Sequence, residues 1–303
     1  MRRLATIALG FVLATTGLAA PQRPPITGIS HIAVFSADMA ASDDYYTRIL
    51  GAHKATDPEN PHGVRYHFST TQFVEVLPLG PNPGESRLAH IGWSTTDAAG
   101  LRAYLIARGY PGVSPVTKAF DGSLWFSAQD PEGNDVQFVQ SVAAPRAEPG
   151  AISGRIIHVG LMVRNRVKQD SFYRDLLGFR PYWYGAKKEG ATDWVSQQAP
   201  DSRDWLEYMM VGDGSTVPME RVDARQLGVL NHFSLGVPNM QNAVTTLIAG
   251  DRLSPRHDGP NMGLDGKWQA NLYDPDGTRA ELMEFQPVTK PCCSPFTQPS
   301  PTN

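Results

Sequence analysis

The chain has 303 residues, of which 41% are hydrophobic and 19% charged, and its formal net charge is −3. This length is enough for two ordinary domains with buried cores, and the composition is typical of a globular protein. The absence of a large basic excess argues against nucleic acid as a partner.

The first residues have the pattern of an export signal. Arg2 and Arg3 precede an apolar stretch from Leu4 to Leu18, and the small residues Ala19 and Ala20 follow. A charged start, a short apolar core and a small-residue cleavage site are typical of a secretory signal peptide. We therefore predict that residues 1–20 are removed and that the mature protein is secreted or periplasmic. An uncleaved anchor is the alternative, although the stretch is short for a membrane span and nothing later in the chain is long enough.

Two long segments of the chain repeat each other. "HIAVFSADMAASDDYYTRILGA" from His31 and "HVGLMVRNRVKQDSFYRDLLGF" from His158 align without a gap. Each begins with a histidine in an apolar strand and continues as a helical pattern that ends in glycine, Gly51 or Gly178, where a helix C-cap is expected. Residues 141–154 between the copies are rich in Ala, Pro and Gly and are interpreted as a linker. The sequence therefore predicts related domains at 26–140 and 155–287.

The repeat occurs again inside each half. "LAHIGWSTTDAAGLRAYLIARGY" and "LNHFSLGVPNMQNAVTTLIAGDRL" are also histidine-bearing strands followed by helices, and the acidic turns "DPEG" and "DPDG" precede the last strand of each half. The chain therefore contains four units of one strand, one helix and three strands (βαβββ). Because one such unit cannot cover its own apolar face, two units should pair into one sheet. We predict an α+β fold with two domains, each an open cup-shaped mixed sheet with the helices outside.

The C-terminal segment differs in composition from both domains. Residues 288–303 are rich in proline and contain the only cysteines, Cys292 and Cys293, side by side. Such a composition predicts a disordered tail. A disulfide between neighbours is uncommon, so a bridge between chains and two free thiols are at least as plausible.

Strand alternation places four candidate metal ligands in the second half on one face. In "IIHVGLMV", His158 shares its face with Gly160 and opposes the apolar positions, and His232 lies in the same way in "NHFSLGV". Glu207 follows His158 by 49 residues, and Glu281 follows His232 by 49 residues, which places equivalent residues on equivalent strands. The small neighbours of the histidines suggest room for a ligand. Imidazole and carboxylate donors suit a divalent transition metal such as Zn²⁺, Ni²⁺, Mn²⁺ or Fe²⁺.

The first half has a weaker version of the same set. His31, Glu75, His90 and Gln137 occupy the corresponding places. Glutamine can offer its amide oxygen but neither a charge nor a base. Because the first half has Gln137 where the second half has Glu281, a divalent metal site in the first half should be weaker. We interpret the first half as a vestigial or structural copy that helps to shape the second.

These motifs resemble the vicinal oxygen chelate superfamily, which includes lactoylglutathione lyase, bleomycin-binding proteins and type I extradiol dioxygenases. The similarity extends over about 26–140 and 152–287 and rests on the histidine strands, "FYRDLLGF" and "DPDGTRAEL". The four-position ligand set His158, Glu207, His232 and Glu281 resembles the glyoxalase branch, whereas extradiol enzymes use two histidines and one carboxylate. His257 and Tyr273 precede the last ligand roughly as extradiol enzymes place an acid–base histidine and a tyrosine.

Three functions are compatible with this resemblance. The main hypothesis is a divalent-metal lyase or isomerase of the glyoxalase type, in which Glu281 or Glu207 removes a proton from a small vicinal-oxygen substrate and the metal, Zn, Ni or Mn, stabilises the enediolate. The alternative is an Fe(II) extradiol-type dioxygenase that uses His158, His232 and Glu281, with His257 handling protons. The third is a secreted, non-catalytic small-molecule binding protein. Trp194 and Trp268 are candidates for the cavity wall, and a homodimer is compatible with the sequence.

Overall fold

The computed structural model describes residues 22–302. The predicted signal peptide, residues 1–20, lies outside this range. Among the described residues, no helix has both the length and the apolar character that a membrane crossing requires.

The first domain is an eight-stranded sheet with two helices. Its elements in chain order are β1 (Ile26–Ser36), α1 (Met39–Asp44, continued as a π-helix over Tyr45–Ile49), β2 (His53–Thr56), β3 (Val64–Ser69), β4 (Gln72–Pro78), β5 (Leu88–Thr95), α2 (Ala98–Ala107), β6 (Thr117–Lys118), β7 (Leu124–Gln129) and β8 (Asp135–Gln140).

The second domain repeats this order with one insertion, a 3₁₀ turn (Met219–Arg221) and the helix α4. Its elements are β9 (Ile156–Val163), α3 (Arg166–Asp170, continued as a π-helix over Ser171–Leu176), β10 (Arg180–Gly185), β11 (Trp194–Gln198), β12 (Trp205–Met210), α4 (Ala224–Leu230), β13 (His232–Val237), α5 (Met240–Ala249), β14 (His257–Met262), β15 (Trp268–Tyr273) and β16 (Arg279–Glu284).

The two sheets have the same topology, and this confirms the predicted architecture. The strand orders are β2-β3-β4-β1-β5-β8-β7-β6 and β10-β11-β12-β9-β13-β16-β15-β14. In each sheet, the first strands of the two units pair antiparallel at the centre, and each also pairs parallel with the last strand of its own unit. The histidine strands are therefore the central strands of each cup, and their odd–even alternation sends one face to the helices and the other into the cup.

Local signals in the sequence fix the helix ends. Asp38 caps α1 by accepting hydrogen bonds from the first backbone amides, and Asn239 caps α5 in the same way. Gly51 and Gly178 follow the π-helical turns with φ values of +72° and +81°. This left-handed conformation is the one that glycine adopts without cost, as expected for a helix C-cap.

The repeated acidic turns join the two domains reciprocally. Asp274 of the "DPDG" turn in the second domain accepts a hydrogen bond from Tyr46 of the first domain at 3.0 Å. Asp130 of the "DPEG" turn in the first domain accepts one from Gln169 at 2.8 Å and lies 3.4 Å from the Tyr173 hydroxyl, both in the second domain. Each turn therefore satisfies a buried polar group on the helix of the other domain, which explains why the chain contains this turn twice.

The C-terminal tail is ordered over its described residues, contrary to the sequence-based prediction of disorder. It runs along β10: Thr297 donates its backbone N–H to Tyr182, and the Tyr182 hydroxyl bonds Ser300 at 2.6 Å. Cys292 and Cys293 form a disulfide with each other. The tail therefore satisfies the free edge of the sheet, and its prolines suit a segment that donates few backbone hydrogen bonds.

The aromatic side chain of the tail should contribute to stability. Phe296 packs on Tyr182 with ring centroids 4.8 Å apart. We expect Phe296→Ala to lower the free energy of unfolding by about 2 kcal/mol, because the ring is half-buried and leaves a gap against the sheet. Phe120→Ala is the matched control, since Phe120 is 94% exposed and should tolerate the change. Equal unfolding midpoints in urea for the two variants would contradict the packing role of the tail.

Candidate metal centre

Three donor atoms converge inside the second cup. His158 on β9, His232 on β13 and Glu281 on β16 all lie on the cup face of adjoining strands and are buried. The Nε2 atoms of the two histidines are 3.0 Å apart, and Glu281 Oε2 lies 3.1 Å from the first and 4.0 Å from the second. Their donor atoms all lie within 4.8 Å of one another.

The donor set fits a divalent metal ion. Glu281 Oε2 is buried and makes no aligned hydrogen bond to any described residue, although His158 Nε2 is close to it. Donor atoms about 3 Å apart are spaced as neighbours around an ion with bond lengths of about 2.0–2.2 Å. A buried carboxylate oxygen without a hydrogen bond is costly unless a cation occupies the shared point. The residues present can therefore hold a metal.

The local environment keeps both imidazoles available as ligands. Burial lowers the pKa of His158, and burial followed by Arg279 and His158 lowers the pKa of His232 well below its usual range. His232 Nδ1 lies 3.0 Å from the Leu230 carbonyl oxygen, so this nitrogen carries the proton and Nε2 carries the lone pair. Burial alone would raise the pKa of Glu281, but Arg279 and His158 outweigh it and lower the pKa. At pH 7 the two histidines of this triad (His158, His232 and Glu281) are therefore neutral, and Glu281 is anionic.

Glu207 lies beside the triad but outside the set of three residues whose donor atoms are all within 4.8 Å of one another. Its Oε2 is 3.8 Å from His232 Nε2, and Ser196 donates to its Oε1 at 3.3 Å. Burial, with Glu281 as the second cause, raises the pKa of Glu207 to about 8. In the metal-free protein this side chain therefore carries a proton at neutral pH.

The proton on Glu207 predicts a pH-dependent stability in the metal-free protein. The folded state keeps this proton up to about pH 8, whereas the unfolded chain releases it near the ordinary value of 4.5. Stability should therefore fall as pH rises between these values, by about 1.4 kcal/mol per pH unit, and level off above pH 8. Relative to Glu207→Gln, the wild-type protein should lose up to about 4 kcal/mol between pH 5 and pH 8. Urea unfolding at both pH values tests this, and parallel pH curves for the two proteins would contradict it.

On the side away from the other two donors, the His158 ring packs against Trp205, which in turn packs against a buried lysine, Lys267. The Trp205 ring lies 4.6 Å from the His158 ring, and Lys267 Nζ lies 4.6 Å from the Trp205 centroid. Lys267 is fully buried among Tyr182, Trp205 and Phe296, and burial lowers its pKa to about 8. Sequence reasoning missed this lysine, because a lysine in a glycine-containing turn is normally exposed.

Arg279 is a second residue that sequence reasoning missed. Its Nη2 donates to His232 Nε2 at 2.8 Å, and its Nη1 lies 3.9 Å from Glu281 Oε1. Strand alternation could have identified it, because Arg279 precedes Glu281 by two positions and so points into the same cup.

The other residues proposed from the sequence lie elsewhere. His257 pairs in register with Leu272 on the helix side of the sheet, is exposed, and has its Nδ1 2.8 Å from the Ser254 carbonyl oxygen. It is therefore not brought to the triad. Tyr273 is on the cup face, but its hydroxyl donates to Asp258 and its ring lies under the Arg256 guanidinium.

The aromatic and glycine positions also need correction in part. Trp194 lines the cavity beside Glu207, as expected, whereas Trp268 lies on the helix side with Met240. The space beside Gly160 is filled by the His232 ring rather than left for a ligand, because a Cβ there would be 2.0 Å from His232 Cε1.

The first cup contains a related cluster. His31 Nε2 and His90 Nε2 are 2.8 Å apart, and Glu75 Oε2 lies 3.3 Å from the latter. Gln137 donates its amide N–H to Glu59 at 2.7 Å, and its Oε1 is buried without a partner among the described residues. Three of the four positions proposed from the sequence, His31, Glu75 and His90, therefore meet at one place, whereas Gln137 is bonded to Glu59.

The two clusters take their carboxylate from different strands. In the first cup the carboxylate of the cluster is that of Glu75 on β4, whose counterpart in the second cup is Glu207 on β12. In the second cup the carboxylate is that of Glu281 on β16, whose counterpart in the first cup is Gln137 on β8. Burial alone would raise the pKa of Glu75, but the interactions with His90 and Asp57 outweigh it, so the pKa is lowered. Each cup thus has two histidines and one ionised carboxylate.

The comparisons with known proteins agree with this architecture. Residues 28–138 match the family model described as Glyoxalase/Bleomycin resistance protein/Dioxygenase superfamily. No curated protein matches the chain in sequence. The fold is similar to that of the 2,3-dioxygenase LapB from Pseudomonas sp. KL28, with a TM-score of 0.62 and 15% identity over 89% of this chain and 97% of that one.

Two further solved structures are similar. A catechol 2,3-dioxygenase matches with a TM-score of 0.58 and 17% identity, over 86% of this chain and 93% of its own. Homoprotocatechuate 2,3-dioxygenase from Brevibacterium fuscum, in complex with 3,4-dihydroxyphenylacetate, matches with a TM-score of 0.60 and 18% identity, over 88% of this chain and 82% of its own.

These findings overturn the main functional hypothesis drawn from the sequence. The two-domain structures that the whole chain resembles are extradiol-type 2,3-dioxygenases, so the glyoxalase-type lyase or isomerase is wrong. The physical reason is the position of Glu207. Equal spacing of 49 residues made it look like a fourth ligand, but in the structure it stands beside the triad with a proton.

Proposed function

We propose that this two-domain member of the Glyoxalase/Bleomycin resistance protein/Dioxygenase superfamily is an Fe²⁺-dependent dioxygenase that opens the ring of a catechol-type substrate. The observation that carries the proposal is the composition of the second cluster, His158, His232 and Glu281, with Glu207 excluded. Two histidines and one carboxylate that leave positions open are the donor set of non-haem Fe(II) oxygenases. The three dioxygenases of similar fold support the same class of reaction.

The residues of the chain would hold and tune this centre. The bound iron would supply the redox chemistry and the affinity for two vicinal oxygens that such a reaction requires. The Leu230 carbonyl orients the His232 ring, and Trp205 packs against the His158 ring, so both ligands are positioned before the metal arrives. Burial of the triad excludes competing water from its inner side.

Glu207 is the group best placed to exchange protons in this cavity. The ring-opened product has the composition of catechol plus dioxygen, so each proton that a catechol hydroxyl would release on binding must return to the product. Glu207 Oε2 lies 3.8 Å from His232 Nε2, and a carboxyl at that place is a general acid–base group within reach of a ligand bound at the triad. His257 cannot take this role from the helix side of the sheet.

Oxygen consumption tests the proposal. Protein reconstituted with Fe²⁺ without air should consume one dioxygen per catechol when air is admitted, and Zn²⁺-loaded protein should consume none. His158→Ala should abolish uptake, and His257→Ala should retain it. If no metal supports uptake although catechol binds, the protein is a binding protein and the enzymatic proposal fails.

We propose in addition that the first cup binds a metal ion of its own, through His31, Glu75, His90 and Gln137. The buried atoms Glu75 Oε2 and Gln137 Oε1 make no aligned hydrogen bond within the described part of the chain, and this supports the proposal because a cation would satisfy such an oxygen. Zinc titration of the metal-free protein should give two ions per chain, and His31→Ala should reduce this to one without loss of oxygen uptake. One ion in the wild-type protein and one in His31→Ala would contradict the N-terminal site.

A further inference from the structure

The Arg279 guanidinium is buried in the second cup, and most of its donors have no acceptor among residues 22–302. The side chain is 12% exposed, and its one aligned hydrogen bond among the described residues runs from Nη2 to His232 Nε2. Its Nε is buried without a partner in that part of the chain, and Nη1 is only loosely paired with Glu281 at 3.9 Å. A guanidinium has five N–H donors, so this cation lacks the acceptors that a buried arginine normally has.

The single acceptor of Arg279 is also a ligand atom of the triad. The lone pair of His232 Nε2 can accept a hydrogen bond or bind a metal, but not both. When the triad is loaded, Arg279 therefore loses this partner. Its Nε–H and Nη2–H then form one free edge, and two parallel donors on one edge match the two oxygens of a carboxylate.

The surrounding cavity is suited to an aromatic acid. An inner cavity of about 90 Å³ contains Arg279 and Glu281 and is walled by Trp183. It shares Trp194 with an outer chamber of about 910 Å³, large enough for a small ligand. The aromatic walls suit a flat ring.

The charge balance in the cavity also favours an anionic ligand. The carboxylates of Glu207, Asp265 and Glu281 line the cavity with Arg279, Lys267 lies behind them over the Trp205 ring, and a bound divalent ion would add two further positive charges. Even with all three acids ionised, the loaded site keeps an excess positive charge that a dissociated hydroxyl or a carboxylate would neutralise.

We propose that Arg279 binds a carboxylate carried by the substrate, so that the preferred substrate is a catechol-type acid rather than an unsubstituted catechol. This inference rests on the proposed function and deepens it, because it names the substrate class of the same site. Arg279 thereby determines substrate specificity. In the metal-free protein its guanidinium donates a hydrogen bond to His232 Nε2 instead.

Ligand binding to Zn²⁺-loaded protein tests this without turnover. Calorimetry would compare catechol with 3,4-dihydroxybenzoate, which has the same pair of hydroxyls and one added carboxylate, at matched zinc content. Wild-type protein should bind the acid about 10- to 100-fold more tightly, the range expected for charged hydrogen bonds. Arg279→Met should lose this preference, and Arg279→Lys should keep part of it because the charge remains and the two-donor edge does not. Arg225→Met, an exposed arginine on α4, is the matched control and should retain the preference.

The outcomes separate the inference from the proposed function. Equal affinity of the wild-type protein for both ligands would overturn the role of Arg279 and leave the dioxygenase proposal intact, with the guanidinium then facing a ring oxygen. A preference that survives in both Arg279→Met and Arg279→Lys would also overturn it. Failure of the loaded wild-type protein to bind either ligand would overturn the dioxygenase proposal and the inference together.

Discussion

Glu281→Gln is expected to weaken metal binding at the second cup by at least about 100-fold and to abolish oxygen uptake. The amide keeps the shape of the side chain but removes the one negative charge among the three donors, and neutral oxygens bind divalent ions more weakly. The buried amide N–H₂ would also face the two imidazole nitrogens. Calorimetric zinc titration and oxygen uptake with Fe²⁺-loaded protein measure the two effects separately.

Glu207→Gln is the matched control for metal affinity. It makes the same chemical change at the carboxylate beside the triad, which lies outside the set of three donors within 4.8 Å of one another. Its zinc affinity should therefore stay within about tenfold of wild type, even if turnover slows through loss of the proton-exchanging group. If the two variants lost equal affinity, the ligand set would have four members and the three-donor assignment would be wrong.

Gly160→Ala should disrupt the same site by a purely steric route. A Cβ at this position would lie 2.0 Å from His232 Cε1 and 2.2 Å from Nδ1, so the imidazole must move. The movement breaks the bond to the Leu230 carbonyl and displaces Nε2 from the other two donors. Since displacement of about 1 Å at an active centre can cost about 100-fold in rate, we expect oxygen uptake to fall at least that far and zinc affinity to fall with it.

A surface glycine provides the control for this substitution. No atom of residues 22–302 lies within 4 Å of a Cβ added at Gly84, and Gly84→Ala should leave zinc affinity and oxygen uptake unchanged. Circular dichroism of Gly160→Ala should remain native-like, because the strand itself accepts alanine. Wild-type zinc affinity in Gly160→Ala would show that the His232 ring is not held where the structure places it.

Much of the fold could be predicted from the sequence because it depends on local and repeated signals. The histidine strands, the glycine after each helix and the repeated acidic turns identified the four units, strand alternation assigned His158 and His232 to one face, and equal spacing added Glu281. The assignment of the histidines to one face needs only the two-residue period of a strand. The ordered tail could not be predicted, because its proline-rich composition is stabilised by contacts with a distant strand, including that of Phe296 with Tyr182.

The details of the site depended on register and on side-chain conformation, which the sequence does not display. A register in which His257 faces Leu272 places that histidine on the helix side, and only strand pairing reveals it. Glu207 and Glu281 have equal spacing from their histidines, yet burial beside a second carboxylate leaves Glu207 protonated. The burial of Lys267 requires an aromatic cage drawn from three separate segments, so no local pattern predicts it.

The most direct test of the account is the fate of dioxygen itself. Fe²⁺-loaded protein would convert catechol under ¹⁸O₂, with the product reduced at once to prevent exchange with water, and mass spectrometry would count the labelled atoms. The account predicts a ring-opened product that contains both atoms of one dioxygen molecule, and no such product with Glu281→Gln. Recovery of unchanged catechol from the loaded wild-type protein, or of a product without labelled oxygen, would contradict it.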